Sequence, residues 1–209
     1  MTRPCLTTLV LGRLFAACGG GGNRSSTGPS APSPTPTPSP TSSLRGEVSD
    51  PTGDALQFAN VLVSPDLVSA SIEITGALAL LSVRLAPGTF QAGTTHVQFD
   101  LDTDQNALTG HSFFGLGNEY FVNMGSRYDG GSATVNRDLG ETYVRTGSVP
   151  VTFSPDGMDV AIPLALLGND DGRMNFRVVV SSQVNFDKPA FTFIADFMPN
   201  TNLSPAVVR

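Results

Sequence analysis

The sequence has no tryptophan, only two cysteines and two histidines in 209 residues, and little charge, with 14% Asp, Glu, Lys or Arg. Each shortage excludes something. Both cysteines precede residue 20, so the remainder has no disulfide framework and no cysteine-built zinc site. Two imidazoles leave little room for histidine-dependent catalysis. No apolar run approaches the ~18 residues of a spanning helix, which argues against an integral helical membrane protein. Twelve Lys and Arg stand against eighteen Asp and Glu, a net charge of −6. No basic surface is available to displace counterions from phosphates, so nucleic acid is not expected as a partner.

What is present divides into three zones. Residues 1–22 read as an export signal: Arg3, then the apolar Leu6, Leu9, Val10, Leu11, Leu14 and Phe15, then the small pair Ala16-Ala17. Phe15-Ala16-Ala17-Cys18, followed by four glycines, resembles a bacterial lipoprotein signal, which implies lipidation of Cys18 and a membrane partner through that anchor. Phe15 where Leu is usual and Arg13 within the apolar stretch depart from the pattern. A plain signal cleaved near Ala17 is the alternative. Residues 23–43 are rich in Pro, Ser and Thr, with Pro29, Pro32, Pro34, Pro36, Pro38 and Pro40 blocking helix and sheet. In polyproline II form, at ~3.1 Å per residue, such a tether reaches on the order of 60 Å. A glycosylated stalk fits the composition equally.

Residues 44–209 are expected to fold as one domain. All eighteen acidic residues and nine of the twelve basic ones lie there, a net charge of −9. Its strongest signal is period-two alternation, as in Val68-Ala70-Ile72-Ile74, Val97-Phe99-Leu101, Met158-Val160-Ile162 and Met174-Phe176-Val178-Val180. Each predicts a strand with one face inward. The stretch 77–85 is more evenly apolar and predicts a strand covered on both faces. Residues 119–124, 133–137, 143–146, 151–153 and 191–195 are further strand candidates. Ser154-Pro155-Asp156-Gly157 reads as a hairpin tip, and 163–167 as one helical turn ended by Gly168. Nine or ten short strands predict an all-β, two-sheet antiparallel β-sandwich, jelly-roll-like.

The densest polar stretch is Asp100-Leu101-Asp102-Thr103-Asp104-Gln105-Asn106, then Thr109-Gly110. Asp100 and Asp102 project from one face of a strand end, and the following turn can bring Asp104 and Asn106 back to the same point. Carboxylates so close repel one another, and a hard cation with oxygen ligands relieves that. The pattern predicts a Ca²⁺ site at Asp100, Asp102, Asp104 and Asn106. It is no EF-hand: counting from Asp100, position six is Gln105 and position twelve His111, where Gly and Glu belong. A remote ligand must complete the shell, Glu119 first, Asp50 or Asp54 second. A solvated acidic turn is the competing reading.

The order of motifs invites comparison. Asp50-Pro51-Thr52-Gly53-Asp54, Pro65-Asp66-Leu67, Phe99 to Asn106 with Thr109-Gly110, Gly117-Asn118-Glu119-Tyr120, Leu167 to Gly172 and Asp196 to Asn200 together resemble β-sandwich modules of secreted bacterial proteins, similar to family 9 carbohydrate-binding modules and DOMON-like domains. The resemblance implies a jelly-roll-like sandwich with bound calcium and, in some relatives, sugar or haem. Sugar stacking wants exposed Trp or Tyr, and only Tyr120, Tyr128 and Tyr143 are present; packing of all three in the core is the plainer expectation. Neither His96 nor His111 sits in a haem signature, and His96 is expected on a strand surface.

Neither a Gly-x-Ser-x-Gly elbow nor a phosphate-binding glycine loop occurs. The expectation is therefore non-enzymatic: an extracytoplasmic lipoprotein of the bacterial envelope displaying a calcium-stabilised binding module, with a glycan or surface protein as ligand. The alternatives are a carbohydrate-binding accessory domain and a carboxylate-dependent hydrolase, whose paired acids carry no local signature.

Overall fold

The computed structural model describes residues 43–57, 61, 63–125, 130–182 and 194–209. Cys18, the signal segment, the tether to residue 42 and Tyr128 lie outside them. The described residues are all-β, with strands β1 Leu44–Ser49, β2 Leu67–Thr75, β3 Leu78–Leu85, β4 Thr95–Asp102, β5 His111–Phe113, β6 Leu116–Asn118, β7 Tyr120–Met124, β8 Ser132–Asp138, β9 Tyr143–Ser154, β10 Gly157–Pro163, β11 Asn175–Ser182, β12 Ile194–Met198 and β13 Ala206–Val207.

Ten strands follow one antiparallel path, β1-β2-β3-β10-β9-β8-β7-β4-β11-β12, with β13 on β11 and a separate β5–β6 hairpin. Where two sheets were expected, the strands form one continuous sheet that passes through β9. Its Tyr143–Pro150 stretch pairs with β8, and its Val151–Ser154 stretch pairs with β10. The two segments expected there as separate strands are thus one strand that pairs with β8 in its first part and with β10 in its second. At the far edges the path nearly closes: Arg45 N donates to Arg209 O, and Arg209 N donates to Arg45 O.

The inward faces interleave into one core. Val97, Phe99 and Leu101 of β4 meet Ile72, Leu81, Val83, Met158, Ile162, Phe176 and Val178, all fully buried or nearly so. Each large side chain removed from water contributes about 1.5–3 kcal/mol. The expected helical turn is a 3₁₀ turn at Leu164–Leu167, ended by Gly168 at φ 77°, a conformation glycine adopts without strain.

Two expectations exchange places. β3 is not covered on both faces; its burial alternates, with Leu78 exposed and Leu80 half-buried. Instead β4 is buried at all eight positions. Its outer side chains, His96, Gln98, Asp100 and Asp102, are polar yet at most 6% exposed. The cover includes the hairpin tip and the C-terminal segment, tied down by Arg177 of β11, which donates to the carbonyls of Phe114, Pro199, Asn200 and Leu203. His96 is therefore buried rather than on the surface.

Candidate metal centre

Asp102 is the last residue of β4, and the chain turns back immediately after it. The turn is held by its own acids. Asn106 N donates to Asp102 Oδ1 at 2.9 Å and Asp104 Oδ1 at 3.0 Å, as Asp side chains do when they cap a nearby backbone. Gln105 takes φ 56° and Gly110 φ 63° to complete the reversal. The loop then packs on β6: a Cβ on Gly117 would lie 2.5 Å from Asn106 O, so only glycine permits that approach.

Glu119 enters from the β6–β7 junction. Its backbone N donates to Leu101 O, while its Oε2 accepts from Thr103 N at 2.9 Å. The result is a convergence of Asp102, Asp104 and Glu119, each offering a carboxylate oxygen, all within 4.8 Å of one another. The hydroxyl of Thr109 sits among them, 2.8 Å from Asp104 Oδ2 and 3.1 Å from Glu119 Oε1. Asn175 of β11 donates to Asp102 Oδ2 at 2.9 Å, a position set by its register opposite Asp102. Burial, the largest cause, pushes the Asp102 and Glu119 carboxyls above their ordinary range, and the neighbouring Asp104 charge adds to it.

These donors suit a hard cation. Two oxygens on one Ca²⁺ at about 2.3–2.6 Å lie at most about 5 Å apart, the span observed here. All three groups are carboxylates, with an amide and a hydroxyl at hand, and among the described residues no softer ligand joins them.

The remaining sequence-expected ligands fall elsewhere. Asn106 supports the turn through its backbone, and its side-chain Oδ1 accepts from Leu108 N. Asp100 does not join the convergence. Its Oδ1 accepts from Gln98 Nε2 at 2.6 Å and Asn118 Nδ2 at 3.4 Å. Burial pushes its carboxyl up to about 7. The strand stays covered up to its end at Asp102, so Asp100 is enclosed two residues before the chain reaches the exposed loop. Asp50 and Asp54 do not complete the shell; they gather with Asp196 of β12 in a second carboxylate group. Thr109 and Asn175 have roles that residue spacing did not assign. Thr109 lies within the motif, but Asn175 is about seventy residues away and carries no local signal.

The second group has a measurable consequence. Burial first, then repulsion from Asp50 and Asp54, raises Asp196 to about 7. Burial, then Asp54 and Asp66, raises Asp50 to about 6. A carboxyl raised on folding stabilises below its unfolded value near 4 and loses that stabilisation as pH climbs through its folded value. The full chain in chelator is expected to melt on the order of 5 °C higher at pH 5 than at pH 8, after discounting for solvent screening. Calorimetric scans at the two pH values check this; a higher melting temperature at pH 8 contradicts it.

No family model, curated protein or solved structure matches the chain.

Proposed function

We propose that the chain is a non-enzymatic binding module whose all-β domain is stabilised by one Ca²⁺ held by Asp102, Asp104 and Glu119. The observation that carries this is the 4.8 Å convergence of the three carboxylates. Two of them are raised by burial and shared charge, and a bound dication offsets both costs. The ion would join the β4 end, the turn after it and the β6–β7 junction into one rigid edge. The lipoprotein-like sequence at Phe15-Ala16-Ala17-Cys18 and the Pro-rich stretch after it favour display from a bacterial membrane through lipid on Cys18, with a glycan or surface protein as ligand.

Asp102→Asn together with Asp104→Asn keeps the shape of both side chains and removes two charges. Titration calorimetry of the full chain with calcium is expected to show affinity reduced by about a hundredfold or more. Equal affinity in the double variant and the parent removes this reading.

A carbohydrate-binding role is the second reading, favoured by one observation. Tyr143, expected in the core, is 64% exposed and packs edge-to-face on Phe121, so an aromatic platform is available at the surface.

A further inference from the structure

A groove of about 620 Å³ opens on the outer side of β4 and β7. Three polar atoms of its lining have no hydrogen-bond partner among the described residues: Gln98 Oε1, Asp100 Oδ2 and Asn123 Oδ1. The two amide oxygens are acceptors, and so is Asp100 Oδ2 when its carboxyl is ionised. Gln98 and Asp100 are 6% and 1% exposed, so bulk water does not reach them freely. The amide of Gln98 is oriented by its Nε2, which donates to Asp100 Oδ1, leaving the oxygen turned away.

The amide donor nearest Asp100 is already committed. Asn118 Nδ2 donates to Asp100 Oδ1 and to Asp138 Oδ2. Arg177 stands opposite Asp100 on β11, but its guanidinium donates to backbone carbonyls. It balances part of the Asp100 charge through space without satisfying Oδ2. Asp100, Asp138 and Glu141 line the groove, and among the described residues His111 is the one basic side chain in that lining. Phe121 and Tyr143 form its aromatic wall, with ring centroids 5.4 Å apart at 75°.

We propose that this groove binds a small organic cation, a primary ammonium carried on a short apolar body. An ammonium offers three donors and no acceptor, the complement of unpaired acceptors beside carboxylates. Aromatic faces attract such a cation and cover its apolar stem. A neutral polyol fits less well, because it brings no charge to Asp100, Asp138 and Glu141 and the amide donors of Gln98 and Asn118 are already spent. The inference rests on the reading of the domain as a binding module but not on the metal.

The test is titration calorimetry on the full chain in calcium buffer, with butylamine as probe and butanol and glucose as uncharged comparators. Butylamine is expected to bind one-to-one and at least about tenfold tighter than either comparator. Tyr143→Ala, at an exposed position, and Asp100→Asn should each weaken it by about tenfold while the calcium-induced rise in melting temperature persists. Nα-acetyl-lysine amide and glucosamine distinguish a protein side chain from an amino sugar as the source of the ammonium, and tight binding of either supports the groove. The inference is overturned if butanol or glucose matches butylamine, if both substitutions leave its affinity unchanged, or if no amine binds to a chain whose calcium response is intact. Amine binding without any calcium response supports the groove and removes the metal reading instead.

Discussion

Calcium at a hundredfold excess over its dissociation constant is expected to raise the melting temperature of the full chain by about 5–10 °C. A ligand that binds only the folded state at that excess contributes about 2.7 kcal/mol, and a domain of this size gains ~2–4 °C per kcal/mol. The physical source is local. Asp102, Asp104 and Glu119 hold their oxygens within 4.8 Å of one another, and unfolding disperses them, so the unfolded chain has no comparable cage. Magnesium should do much less, because it demands a smaller octahedral shell and gives up its waters reluctantly. Scans in calcium, magnesium and chelator separate these cases. Equal melting temperatures in all three would count against the cage.

Phe99→Ala is expected to cost about 3–5 kcal/mol, the range for truncating a buried aromatic in a core that only partly collapses. Phe99 is fully buried on the inward face of β4 and lies 6.2 Å, centroid to centroid, from Phe176 of β11. It sits next to Asp100 and three residues before Asp102 on the same strand, so the cavity opens beneath the segment that presents the acids. The loss should appear in chemical denaturation as a lower midpoint with an unchanged slope. A loss below about 1 kcal/mol would mean that Phe99 does not anchor the inward face of β4 in the core.

The residues that sequence alone could place are those whose signal is local. Alternating apolar residues located β2, β4, β10 and β11, and Ser154 to Gly157 located the β9–β10 turn, because each depends on neighbours a few positions away. The acidic loop was legible for the same reason: Asp102, Asp104 and Asn106 are spaced by two. Glu119, seventeen residues beyond Asp102, was expected beside the loop, and its carboxylate does lie there. The failures share a different cause. β1 was not anticipated because LRGEVS carries only Leu44 and Val48 as large apolar residues, both half-buried. Its place is set by β2 and by Gly46, where a Cβ would lie 2.6 Å from Val207 O. The covering of β4 and the exposure of β3 were exchanged because their outer faces are decided by what lies across them. The polar row His96-Gln98-Asp100-Asp102 looks solvent-facing in the sequence, yet it is at most 6% exposed; opposite Asp100, Arg177 holds the hairpin tip and the C-terminal segment by their carbonyls. Asp100 was placed with the loop for the same reason, since its separation from Asp102 reflects that cover and not its spacing.

The central claim is that a dication draws three carboxylates into one shell, and a crystal structure of the full chain grown with calcium tests it most directly. One ion is expected there, with oxygens of Asp102, Asp104 and Glu119 at about 2.3–2.6 Å from it. Well-ordered side chains of these three residues turned apart into solvent, with no ion between them in saturating calcium, would contradict it.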